Sequence, residues 1–198
     1  MLIINLKIYK MKKITILIIV LTTSFLSCKA QVIPVEKHRD YINNEIEIVD
    51  GTYIKDINNV LPKFIGIWKG TYNSKNYEFK IIKSTKEFLG IKKDQLLMRY
   101  KITANNGTVI ENTLSLPNDS PFVMQNGYVA KSGSYVFSYI GKNVACGQNG
   151  WVFMGILNNS NNKKAKLFLS VKGETYPECT TGTAEQILPM EQMELIKQ

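Results

Sequence analysis

Histidine is nearly absent from this chain: His38 is the only one in 198 residues. It lies in a polar stretch near the N-terminus and reads as a solvated side chain. Without a histidine in the body of the chain, Ser-His-Asp and Cys-His nucleophilic machinery is excluded. Histidine-rich metal sites are excluded with it, and no metal or cofactor is expected. No Gly-x-Gly-x-x-Gly and no phosphate-binding loop occurs; Gly147, Gly150 and Gly155 flank Trp151 without the required spacing. Long hydrophobic runs are missing too. The apolar stretch Ile14 to Leu26 has thirteen residues, whereas a membrane-spanning helix needs about 20. Internal repeats and low-complexity tracts are also lacking.

What that short stretch does form is an address. Met11-Lys12-Lys13 precedes it, and Ser27-Cys28 follows. A basic start, a short apolar core and a small residue before the cut define a secretory signal. A cysteine directly after the cut predicts lipid attachment at Cys28. The rival cut follows Ala30 and gives a secreted form without lipid. Met11 opens a complete signal by itself, so residues 1–10 read as an upstream start-codon overcall. Each buried methylene of an attached acyl chain contributes about 0.8 kcal/mol to membrane binding. The organisation expected is a signal over 1–27, a lipidated cysteine and polar tether over 28–52, and a single domain over 53–198. The partner expected first is a membrane, engaged through the lipid. Lys29-Ala30-Gln31-Val32 carries no acid, which favours an outer membrane location facing the periplasm.

The removed segment carries Lys7, Lys10, Lys12 and Lys13 and no acid, so the formal charge falls from +9 to +5. The remaining lysines are scattered, as at Lys92-Lys93 and Lys163-Lys164, with no basic stripe of the kind that tracks nucleic acid. Two cysteines remain in the body, Cys146 and Cys179. In an oxidising envelope such a pair suggests a disulfide; two free thiols are the alternative.

The body alternates Ile-, Val-, Thr-, Tyr- and Phe-rich runs with Gly, Asn, Asp, Ser and Lys clusters, the pattern of an all-β chain. Strands are expected over 65–73, 76–84, 95–104, 108–116, 122–130, 134–141, 150–158, 164–172 and 188–197. The short turns between them predict an antiparallel meander. Many short strands of this kind close into a barrel or a sandwich, which removes exposed edges. A helical turn is plausible at Tyr53 to Leu61, capped by Asp56 and stopped by Pro62.

The segment Asp56 to Gly70 places that turn before Gly66-Ile67-Trp68. A short helical turn followed by Gly-x-Trp at the head of the first strand resembles the opening of lipocalins and related calycin barrels. The resemblance implies a lipocalin-like barrel, with Gly66 allowing the strand to bend and Trp68 plugging the closed end. It also implies a basic residue of the last strand over the ring, for which Lys197 is the candidate. The Ser-Cys-Lys-Ala-Gln junction, the Phe-Ile-Gly-Ile-Trp-Lys-Gly segment and the tail Leu188 to Gln198 together resemble uncharacterised small lipoproteins of the Bacteroidetes. That likeness implies an envelope lipoprotein and carries no known activity.

Trp151 sits in a further hairpin. If Leu157 pairs with Lys164, then Val152, Met154 and Ile156 face Leu169, Leu167 and Ala165. The opposite face carries Trp151, Phe153, Lys166, Phe168 and Ser170. Tyr135, Phe137 and Tyr139 line one face of the preceding strand. Both faces being apolar fits either a two-sided core or an aromatic cavity for an apolar or sugar-like ligand. The same register puts Cys146 opposite Thr175, four residues from Cys179. Arg99 is the sole arginine of the expected barrel and could hold a carboxylate if it faced inward. Glu78, Asp94, Glu111 and Glu174 read as surface acids, leaving a carboxylate-based hydrolase as the weakest of three readings. The favoured reading is non-enzymatic binding of a small apolar ligand or of another envelope component. The second is a structural or protein-interaction lipoprotein with a filled interior.

Overall fold

A computed structural model describes residues 31–198, of which Val32–Gln198 form one compact unit. Among the described residues the regular secondary structure is almost all strand. The elements are β1 (Val32–Pro34), α1 (His38–Asn43), β2 (Tyr53–Lys55), a 3-10 turn (Pro62–Phe64), β3 (Gly66–Tyr72), β4 (Lys75–Phe88), β5 (Ile91–Ala104), β6 (Val109–Asn112), β7 (Gln125–Val129), β8 (Tyr135–Ile140), β9 (Asn149–Ile156), β10 (Lys164–Val171) and β11 (Met193–Lys197). They form one sheet in the order β1-β2-β5-β4-β3-β11-β10-β9-β8-β7, with β6 also paired to β5. All pairings are antiparallel except β1 with β2 and β2 with β5.

Local chemistry explains the hairpins. Asn73 and Ser74, both at positive φ, turn β3 into β4; such two-residue turns match strand twist. Alternation places Trp68, Phe79, Ile81, Met98, Tyr100, Phe137, Val152, Met154, Leu167 and Leu195 on one face, all fully buried in a single cluster. The sheet curls over this face. The ring of Tyr100 on β5 meets Tyr139 on β8 edge-on at 6.4 Å, and the Tyr135 hydroxyl accepts the Leu96 N–H at 3.0 Å.

The curl does not become the expected lipocalin-like barrel. Closure needs a ladder along the second edge of β5. That edge is already occupied by β2 at one end and β6 at the other. Between them only Met98 and Met124 bridge.

Two further expectations change. Residues 32–52 are folded rather than a tether: Ile33 and Val35 are buried, and β1 adds to β2. Tyr53–Lys55 is a strand, not a helical turn. Asp56 does not cap a helix: its carboxylate accepts the N–H groups of Val60 at 2.8 Å and Leu61 at 3.3 Å in the loop, and the 3-10 turn that follows has Leu61 at its N-cap without a side-chain bond. The helical residues are Pro62–Phe64, where proline's fixed φ suits the first position. Strands β4 and β5 run on to a turn at Leu89-Gly90, through charged residues expected to form a loop.

Candidate functional site: an outer cleft at the end of the long hairpin

The tip of the β4–β5 hairpin turns on Leu89 and Gly90, at φ 47° and 71°. Because the strands pair through Phe88 and Ile91, their side chains alternate to the tip. Lys86 lies opposite Lys93, and Phe88 opposite Ile91. Ile54 of β2 lies beside Lys93 on the other side. The N-terminal segment brings His38 and Ile48 to the same place, and a half-open cleft of about 480 Å³ results. Its walls are Ile48, Ile54, Phe88 and Ile91, with Lys86, Lys93, His38, Gln95 and Asn126 as polar members. Ligand pockets commonly have about 300–1,000 Å³ and this mixture of apolar walls and few polar groups.

The lining carries cationic and neutral polar groups and no acid, and the Asp50 carboxylate packs against Gly90 at the tip. The Lys93 ammonium donates to the Gly127 carbonyl at 2.8 Å. Burial lowers its pKa to about 8, because desolvation penalises the charged form. Burial, and then the nearby charges of Lys93 and Arg39, lower the pKa of His38 to about 4. Its Nδ1 is buried without a hydrogen-bond partner. His38 is therefore not the solvated tether histidine expected. Among the described residues neither Lys86 nor Lys93 lies in an ion pair with a carboxylate, although Lys92, Lys83 and Lys69 do.

The side chains expected to bind a ligand do not come together. Tyr135, Phe137 and Tyr139 belong to the filled core. Trp151 and Phe153 lie on the opposite, outer face, where Phe153 stacks on Phe168 at 5.0 Å. Trp151 meets Tyr128 edge-on at 6.3 Å, under the Lys172 ammonium. Arg99 is buried, but its Nε donates to the Leu116 carbonyl at 2.9 Å and its guanidinium also binds Asn118. It pins the loop before β7 rather than holding a free carboxylate site. The hairpin register around Trp151 is as expected, including Cys146 opposite Thr175. Cys146 and Cys179 form a disulfide. Cys28 lies outside the described residues.

Gly66 and Trp68 form a packed unit with the last strand. The Trp68 indole donates to the Phe64 carbonyl at 2.7 Å, and the Lys197 ammonium stands 5.2 Å from its ring centroid. Gly66 has φ 133°, and a Cβ there would lie 2.8 Å from Lys197 Cε.

Two of the expected surface acids are buried. Asp94 accepts from Tyr53, Thr85 and the Asp56 N–H, and pairs with Lys83 at 2.9 Å. Burial pushes its pKa up, but these bonds outweigh burial and hold it below the ordinary value. Asp56 shares Lys83 at 3.7 Å. The two carboxylates join β2, β4 and β5, with their oxygens engaged. Glu111 accepts from the Tyr100 hydroxyl at 2.8 Å and faces Lys142.

Sequence reading missed the cleft because it treated the charged residues 85–94 as a loop. The available signal was Leu89-Gly90 between Phe88 and Ile91, with Ser84, Lys86 and Phe88 alternating into it.

Residues 11–186 match the model of a family of unknown function, DUF6705. No curated protein and no solved structure matches the chain. With most of its length matched, this chain belongs to the DUF6705 family of unknown function.

Proposed function

We propose that this protein is a lipid-anchored envelope protein that binds a small apolar molecule, without catalysis, in the cleft between the N-terminal segment and the β4–β5 hairpin. The observation that carries the reading is the cleft itself. Ile48, Ile54, Phe88 and Ile91 present apolar walls at a half-open edge of the sheet, while the interior is filled by aromatic side chains. Binding therefore moves from the core of a closed barrel to an outer cleft. The anchor is Cys28, in an outer membrane and facing the periplasm, motivated by the Lys12-Lys13 start, the short apolar stretch and Ser27. The likeness to Bacteroidetes lipoproteins and the lipocalin-like Gly-x-Trp opening belong to this reading.

A second reading, a protein-interaction role, draws on the outer aromatic face of Tyr128, Trp151, Phe153 and Phe168. Native mass spectrometry of the chain released from its own envelope separates the two. The cleft reading expects a small-molecule adduct that disappears in Ile91→Asp and persists in Trp151→Ala. An apo mass, with a co-purifying protein lost in Trp151→Ala, would favour the second reading.

A further inference from the structure

We infer that the cleft takes a single-chain aliphatic acid, its acyl chain against Ile48, Ile54, Phe88 and Ile91 and its acidic head between Lys86 and Lys93. The inference rests on the cleft being the ligand site and names the class of ligand.

Three observations converge. First, Lys86 and Lys93 face each other across the β4–β5 ladder. Like charges directly opposite on one sheet face destabilise the pair, and among the described residues no carboxylate forms an ion pair with either one. Elsewhere on the same sheet some exposed lysines find acids, as Lys69 does with Glu78 and Lys164 with Glu194, while others, such as Lys80 and Lys166, do not among the described residues. The pair at the cleft differs in setting two lysines directly opposite each other beside apolar walls. Second, Lys93 is largely buried, and the bond its ammonium donates to the Gly127 carbonyl leaves further N–H donors on it. A partly desolvated ammonium binds an anion more strongly than a hydrated one does, because charge-assisted bonds strengthen where water is excluded. His38 on the facing segment adds ring nitrogens and no negative charge. Third, the rest of the lining is apolar and contiguous with the lysine pair. The ligand that satisfies both parts has an acid at one end and hydrocarbon at the other.

Size selects one chain over two. A water occupies about 30 Å³ of liquid, so a cleft of about 480 Å³ holds roughly sixteen groups of that size. That matches one medium-length chain and its head within the walls; a second chain of a phospholipid would lie outside them.

Photolabelling tests this with the full chain in phospholipid nanodiscs. Three diazirine probes are compared: dodecanoic acid, dodecanol of the same length, and a phosphatidylglycerol. Adducts are mapped by peptide mass spectrometry. The expected result is acid labelling within residues 48–54 and 86–93, at least ten-fold above the alcohol, against the excess phospholipid of the disc. Lys93→Met should reduce acid labelling ten-fold or more and leave alcohol labelling unchanged. Lys86→Met, at an exposed position, should reduce it in the same direction and covers the case in which Lys93→Met does not fold. Equal labelling of the cleft by acid and alcohol, insensitive to both substitutions, would overturn the acidic head while leaving an apolar site. Preferential labelling by phosphatidylglycerol would overturn the single-chain assignment. No labelling of the cleft by any probe would overturn the site itself.

Discussion

At Gly66 a single hydrogen in place of a methyl group lets two elements meet. The residue starts β3 at a φ of 133°, and Lys197 crosses over it to reach Trp68. Gly66→Ala should strain the backbone and displace Lys197, at a cost of about 2 kcal/mol, read as a lower denaturant midpoint with an unchanged slope. Lys197→Met keeps the packing over the ring and should cost less. His38 gives a second prediction at this scale. Its folded pKa, about 4, lies below its ordinary 6.5. The unfolded chain therefore binds the extra proton first. Stability is fully present above about pH 6.5 and is lost as pH falls from there toward 4. Thermal melts across that window should show the loss, and His38→Gln should flatten it. A wild-type profile flat between pH 7 and 4 would show that His38 is not held neutral by burial.

At the scale of elements, the long hairpin and the disulfide loop make separate contributions. Leu89 is three-quarters exposed and sits at φ 47°, a conformation that branched side chains disfavour and asparagine tolerates. Leu89→Asn should therefore raise stability by about 0.5–1 kcal/mol, measured by denaturant unfolding; a loss would mean that the leucine packs in the free protein. Removing the Cys146–Cys179 bridge, which spans 33 positions, should cost about 3.7 kcal/mol on the chain-entropy model. Equilibrium unfolding of the double Cys→Ala variant checks it.

These elements also show what a sequence can reveal. The β9–β10 register was readable because Val152, Met154 and Ile156 alternate against Leu169, Leu167 and Ala165, so a one-residue slip would expose them all. The disulfide was expected from the pair of cysteines, and that register brings both to one end of the hairpin. The N-terminal strands were not readable. Val32 to Val35 is an apolar run of only four residues interrupted by Pro34, and its pairing is non-local and parallel. The outer cleft was hidden for the same reason: His38 and Ile48 meet Lys93 only after β2 has docked on β5. Of the candidate ligand residues, the sequence grouped Tyr135 with Trp151 by aromatic character, and the pleat separates them onto opposite faces.

Over the whole molecule, one filled core and one half-open edge divide the work. The core holds the aromatic side chains of β8 that alternation identified, and β2, which with β6 occupies the edge of β5, also supplies Ile54 to the cleft wall. If Cys28 carries the lipid, the wild-type chain should incorporate a clickable fatty acid in cells, and Cys28→Ala should abolish both the label and retention in the membrane fraction. Persistent membrane retention without label would point to another form of attachment.

The most direct test of the cleft is backbone amide exchange on the full chain, purified in its native envelope extract and again after delipidation. Removal of the bound molecule should increase exchange in residues 48–54 and 86–93, with the strands around Trp151 unchanged. A change confined to residues 128–170, or identical exchange in both samples, would contradict a ligand site at the hairpin tip.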